Sequence, residues 1–174
     1  SSALDAEVSV DRVSLTGTGT AYRSSLWIYG DDGHYLHFSQ NRGESGWSYN
    51  ANDVGGIGTN NPTGGGVNIA SLDGIDNDGG QHAMKIVISP TGEPGDVSMF
   101  MYLDDNLVAI QGFSNFPETY KVMLTGQGRA IGDSVNAVFD NVNVQQVPEP
   151  STVALVCCAV PVALIAWRRR RAVA

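Results

Sequence analysis

His82-Ala83-Met84-Lys85-Ile86-Val87-Ile88-Ser89, then Pro90-Thr91-Gly92-Glu93-Pro94-Gly95, then Asp96-Val97-Ser98-Met99-Phe100-Met101-Tyr102-Leu103 lead through Asp104-Asp105 into Asn106-Leu107-Val108-Ala109-Ile110. Polar and apolar residues alternate in the two longer runs, the pattern of strands with one buried face. The Pro/Gly segment between them breaks the ladder and supplies turn geometry, and the Asp pair accepts local hydrogen bonds. Three strands joined by antiparallel turns follow.

Outward from this core, similar runs lie at 7–15, 24–29, 35–39, 46–49, 120–126 and 134–144, giving about nine strand candidates in all. Gly30-Asp31-Asp32-Gly33 separates two of them with turn chemistry. In the last run Val135, Ala137 and Phe139 share one phase, whereas Val142 and Val144 take the other. Such a change predicts a bulge or a strand buried on both faces, and a central place in its sheet. No repeat is present, and many short strands without a helical segment favour a two-sheet sandwich over a barrel. The Gly-rich stretch 55–66 reads as a long loop rather than a phosphate cradle, because no Lys-Ser/Thr follows it.

The chain has 174 residues, of which 16% are charged, with a net charge of −8. Residues 1–146 carry six basic and seventeen acidic side chains, a net −11, whereas Arg168, Arg169, Arg170 and Arg171 cluster at the far end. An acidic body disfavours nucleic acid, whose phosphates are bound by Lys and Arg. The acidity serves solubility or, on a second reading, cation binding. Cys157 and Cys158 both fall after residue 150, so the body has no disulfide or thiolate metal site to draw on and depends on its core. With no initiator Met and no basic-apolar leader at the start, an export signal is expected upstream or already removed.

Composition changes abruptly at Val147-Pro148-Glu149-Pro150. The prolines withhold ladder donors and push their neighbours to extended conformations, so 147–152 reads as an exposed linker. The apolar run 153–167 follows, then the basic tail 168–174. As a helix the run spans roughly 22 Å, enough to cross a bilayer with little tilt once snorkelling arginines extend it. Pro161 lies inside it, at the cost of a kink. The arginines are expected to stay cytoplasmic, leaving 1–146 outside as the body of a single-pass membrane precursor.

Pro148-Glu149-Pro150, the short apolar helix and Arg168 to Arg171, in that order, resemble the PEP-CTERM sorting signal of bacterial envelope proteins. That resemblance implies export, recognition by an exosortase-type membrane enzyme that cuts near Pro-Glu-Pro, and a cell-surface or biofilm-matrix setting rich in extracellular polysaccharide. No L-P-x-T-G pentapeptide is present.

The body runs Gln81 to Ile88, Val97 to Val108, Val122-Met123-Leu124-Thr125-Gly126 and Asn136-Ala137-Val138-Phe139-Asp140-Asn141-Val142 look like the second half of a concanavalin-A-like, laminin-G-like jelly roll. The resemblance covers about 5–146 and implies an all-β, antiparallel, lectin-like sandwich with further strands upstream.

Laminarinase-type hydrolases of that fold place their carboxylates as Glu-x-Asp-x-x-Glu, so that alternate residues flank one glycosidic bond. The motif is absent; Glu7-Val8-Ser9-Val10-Asp11 has the wrong spacing. The body is therefore expected to be non-catalytic, a carbohydrate-binding or adhesion module, with a glycan hydrolase or lyase whose catalytic part lies upstream as the rival. Asp73, Asp76, Asn77 and Asp78 form the densest acidic loop, open to two readings: turn chemistry, or an oxygen-lined Ca2+ site. His34, His37 and His82 lack metal-ligand spacing. Trp27, Tyr29, Tyr35, Trp47 and Tyr49 are core fillers or a platform on which sugar rings stack; Trp27, Tyr29, Trp47 and Tyr49 are the platform candidates.

Overall fold

In the computed structural model, residues 5–42, 46–53, 67–68 and 79–146 are described. They form β1 (Ala6–Thr18), β2 (Tyr22–Gly30), β3 (Tyr35–Arg42), β4 (Gly46–Asn52), β5 (Val67–Asn68), β6 (His82–Pro90), β7 (Val97–Leu103), β8 (Asn106–Phe113), β9 (Tyr120–Gly128) and β10 (Ser134–Gln146). Sheet A has the order β10-β1-β6-β7-β8 and sheet B the order β5-β4-β3-β2-β9, with every pairing antiparallel. The body is thus an all-β two-sheet sandwich, and the nine runs read from the sequence are all strands. The additional two-residue strand β5 pairs with β4 just after the stretch expected to be a loop.

Alternation along the strands explains the layers. From sheet A, Val8, Val10, Met84, Ile86, Ile88, Met99, Met101 and Leu103 point inward; from sheet B, Leu26, Ile28, Leu36, Phe38 and Trp47 meet them. Burying these side chains supplies the main stabilisation, at roughly 1.5–3 kcal/mol for each large one. Asp104 and Asp105, at φ 50° and 64°, close the β7–β8 hairpin with the paired positive φ values of a type I′ turn. Asp104 also accepts the Ala83 backbone N–H at 2.9 Å and meets His82 Nδ1 at 2.7 Å, fastening the hairpin to β6.

One end of the sandwich is closed by Asp133. Its carboxylate accepts the backbone N–H groups of Thr20, Ala21 and Ala130 at 2.9, 3.3 and 2.8 Å, tying the β1–β2 turn to the β9–β10 turn. These bonds, the one from Thr20 foremost, hold its pKa below the ordinary aspartate value. Gly19 lies against it at φ 111°, where a Cβ would collide with the carboxylate.

The phase change in the last strand is a bulge. Ser9 pairs with Asn143 but Asp11 with Asp140, so β10 carries one extra residue there, and Asn141 takes φ 50°. A compensating irregularity between Arg12 and Ser14 adds Val13 to β1. The expected central position is not observed: β10 is an edge strand of sheet A, and Val142 and Val144 are 55% and 53% exposed. The strand buried on both faces is instead β3, the middle of sheet B, where Leu36 through Asn41 are all buried.

Among the described residues no helix is long and apolar enough to cross a membrane. The linker, the apolar run 153–167 and the arginines lie outside the described residues.

Candidate functional site

The outward positions of sheet B are those that alternate with the core residues. On β2 they are Arg23, Ser25, Trp27 and Tyr29; on β3, Tyr35, His37, Ser39 and Asn41. Strand register then lines up Met123, Trp27, His37 and Asn50 across one rung, and Lys121, Tyr29, Tyr35 and Asn52 across the next. Polar rungs follow on the other side of the aromatic pair, first Thr125, Ser25, Ser39 and Ser48, then Gln127, Arg23 and Asn41.

Cross-strand pairing packs the rings against one another. Trp27 stacks on His37 with centroids 3.9 Å apart and planes 19° apart, and Tyr35 tilts against Trp27 at 5.7 Å. Tyr29 lies nearly parallel to Tyr35 at 6.4 Å. Polar neighbours fix the rings: Trp27 Nε1 donates to Thr125 Oγ1 at 3.1 Å, and Tyr35 Oη donates to Asn50 Oδ1 at 3.4 Å. Trp27, Tyr29 and Tyr35 remain partly exposed, while His37 beneath them is buried. The result is a broad aromatic surface rimmed by hydroxyl and amide groups, suited to a ligand with apolar ring faces and polar edges.

His37 is the central polar group of this surface. Burial, with smaller contributions from the positive charges of Arg23 and Arg129, pushes its pKa down to about 3. Its ring is neutral at ordinary pH, and Nε2 exchanges a hydrogen bond with Ser25 Oγ at 2.8 Å. Asn41 Nδ2 lies within reach of Ser39 Oγ, Ser48 Oγ and the Gly46 carbonyl, which ties β3 to β4 at this end. Arg23 Nε donates to Gln127 Oε1 at 2.8 Å, orienting its guanidinium along the face. At the opposite end Lys121 Nζ pairs with Asp31 at 2.6 Å.

Of the four aromatic residues expected to form one platform, the structure unites only two. Trp27 and Tyr29 point outward and are joined by Tyr35; Trp47 and Tyr49 lie on the opposite side of the sheet. Trp47 pairs with Gln40, and Tyr49 with Phe38, both on the inward phase of β3. Trp47 is 2% exposed, packed against Phe38 and His82 with the buried Arg12 guanidinium 5.5 Å from its ring centre. Tyr49 packs against the core, and burial raises its phenol pKa. His37, Arg23 and Asn50 were not anticipated, although the period-2 placement of Arg23 and Trp27 on one strand was the available signal.

A concavity of about 490 Å3 opens between Tyr49, Asp53 and β8. Asp53 and Asp96 each accept a backbone N–H, from Ser114 at 3.0 Å and Asn115 at 3.1 Å. His34 lies behind them, its Nε2 3.3 Å from Asp53 and its Nδ1 2.9 Å from Asp32. These carboxylates thereby anchor the loop after β8. All three histidines of the chain are buried. Among the described residues no three His, Cys, Asp or Glu side chains gather to hold a metal ion. The loop with Asp73, Asp76, Asn77 and Asp78 lies outside the described residues, as does the Val147-Pro148-Glu149-Pro150 element.

Comparison with protein-family models, curated proteins and solved structures finds no match for this chain.

Proposed function

We propose that this chain is an exported bacterial surface or matrix protein whose jelly-roll body, lectin-like in the concanavalin-A manner, binds polysaccharide through the outer face of sheet B without catalysis. Its C-terminal segment acts as the sorting signal: an exosortase-type enzyme reads Pro148-Glu149-Pro150, the apolar run crosses the membrane, and Arg168 to Arg171 remain in the cytoplasm. The body faces outward, anchored or released after cutting.

The observation that carries the binding reading is the layer of Trp27, His37, Tyr35 and Tyr29, with Asn50 and Thr125 holding its rings in place. Ring faces supply apolar area for sugar C–H groups, and rigid aromatic residues lose little entropy when a ligand settles on them. The succession of linker, apolar run and arginine cluster along the sequence supports the sorting reading.

Both halves are tested in one system. The chain is expressed with an N-terminal tag in a host that carries an exosortase, beside a variant with Pro148→Ala, Glu149→Ala and Pro150→Ala. Intact mass is expected to show loss of the tail in the wild type and retention in the variant; an intact tail in both would reject the sorting reading. Affinity electrophoresis through immobilised polysaccharide is expected to retard the wild type and release Trp27→Ala. Equal mobility of the two in every polysaccharide would reject the binding face.

A further inference from the structure

Val142 and Val144 are not covered like the residues beside them. Val144 pairs with Val8 and shares its phase with Val142. Opposed residues of antiparallel strands project to the same side, so both valines take the core side of sheet A. Val8 and Val10 are fully buried there, whereas Val142 and Val144 remain more than half exposed. The core side of sheet A is therefore closed over β1 and open over the end of β10.

The opening is local. β10 is an edge of sheet A, and among the described residues β1 is its one strand partner in that sheet. Near the start of β10 the sandwich is closed by β9: a Cβ on Gly126 would lie 3.2 Å from the Ala137 side chain. The opposite edge of the sheet is closed on its core side as well, with Gln111 and Phe113 of β8 buried.

Composition leaves the open stretch without the devices that keep edges apart. Edge strands resist pairing through Lys, Pro or inward charges. The thirteen residues of β10 hold neither Lys nor Pro, and Asp140 is their one charge. After that aspartate and the bulge at Asn141 come Val142-Asn143-Val144-Gln145-Gln146, all uncharged. The phase of the sequence gives β10 a central place, and a single copy of the chain leaves it at an edge.

We infer that β10 is completed by a second copy of this chain, residues 142–146 pairing antiparallel with the same stretch across a two-fold axis at Val144. In that register Val144 opposes Val144 of the second copy, Asn143 opposes Gln145, and Val142 opposes Gln146. Every opposed pair is uncharged, four valines gather on the core side, and amide side chains meet on the outer side. An axis at Asp140 would instead set two carboxylates face to face. Glu7 and Asp11 stand one strand back, so three strand spacings, about 14 Å, separate them from their counterparts, beyond a screening length of about 8 Å. Five rungs make a small contact, so the dimer is weak and forms with concentration. The outer faces of both B sheets then turn the same way and offer a long polysaccharide two sites at once, a consequence that rests on the glycan-binding reading.

The test uses the full chain in detergent, without glycan. Sedimentation equilibrium from about 1 μM to 1 mM is expected to show a reversible dimer. Val142→Lys with Val144→Lys is expected to raise its dissociation constant about tenfold or more, because four like charges then crowd one apolar contact. Leu107→Lys with Ile110→Lys, at exposed residues of the other edge, is expected to leave it unchanged. Amide hydrogen exchange of the wild type needs no variant: exchange in 142–146 is expected to slow as concentration rises, with no change in β8. A monomer at every concentration would overturn the proposal. So would a dimer that survives the Val142/Val144 variant, which would assign association to another part of the chain. Dissociation by the Leu107/Ile110 variant would move the contact to β8, and protection of 142–146 at every concentration would identify the cover as a segment of the same chain; either result overturns the two-fold pairing.

Discussion

The outer faces of the two sheets start from the same strand alternation and reach opposite surfaces. On sheet A, Glu7, Ser9 and Asp11 of β1 stand beside Ala83 and Lys85 of β6, forming a shallow depression of about 250 Å3 with Asn141 at its edge. Its contacts are local: Asn141 Nδ2 donates to Asp11 at 2.7 Å, and Lys85 lies 3.5 Å from the exposed Asp105 and 4.8 Å from the Tyr102 ring centre. Such exposed pairs contribute little stability. On sheet B the outward side chains form a layer of their own, with stacked rings above buried Ser, His and Asn groups. A sandwich needs its inner faces to fold, and this second ordered layer is the feature on which the proposed glycan-binding reading rests.

The comparison can be broken most forcefully from within β2. Leu26 points into the core and Trp27 out of it, one residue apart. Leu26→Ala is expected to cost about 2–5 kcal/mol in chemical denaturation, because it leaves a cavity between the sheets. If Trp27→Ala cost as much, the outer layer would be a second core and not a recognition surface.

A pH series sharpens the contrast next. The folded-state pKa of His37, about 3, lies below its ordinary 6.5, so between these values the unfolded chain binds a proton that the folded chain excludes. Stability is therefore expected to be full above pH 6.5 and to fall on acidification towards pH 3, by about 1 kcal/mol per pH unit. His37→Gln flattens this slope. The lowered pKa of Asp133 acts in the same direction, but only below its ordinary value of 3.8. Denaturant midpoints measured across this range in both proteins separate the two contributions.

Smaller effects distinguish the faces as surfaces. Trp27→Ala is expected to weaken polysaccharide retention by about 1–2 kcal/mol, near tenfold, whereas Tyr102→Ala on sheet A leaves it unchanged. Affinity electrophoresis reads both, and an equal loss from Tyr102→Ala would erase the distinction. Smallest of all, Asn141→Gly keeps a residue that tolerates the positive φ at this position, removes one exposed hydrogen bond to Asp11 and is expected to change stability by about 1 kcal/mol or less. Thermal unfolding measures it.

Much of this architecture is legible in order along the chain. The runs of β6, β7 and β8 announce themselves by alternation, and Asp104-Asp105 marks the hairpin because its side chains tolerate positive φ. The bulge in β10 is visible as a change of phase between Phe139 and Val142, but the place of that strand in its sheet is not. Phase depends on neighbours along one chain, whereas sheet order depends on pairing across more than a hundred residues. The site was half legible for the same reason. Trp27-Ile28-Tyr29 and Trp47-Ser48-Tyr49 have identical aromatic spacing, and only their partners on β3 separate them.

By itself, the amino-acid sequence determined the all-β class, the turns, the absence of cysteine from the body and the separation of an acidic body from a basic end, because each follows from local pattern or composition. The tertiary structure decided which aromatic residues share a surface, that β3 rather than β10 is buried on both faces, and that His37 lies buried against Trp27. Those relations arise from cross-strand register, in which residues remote in sequence become neighbours about 5 Å apart, and no reading along a single strand contains them.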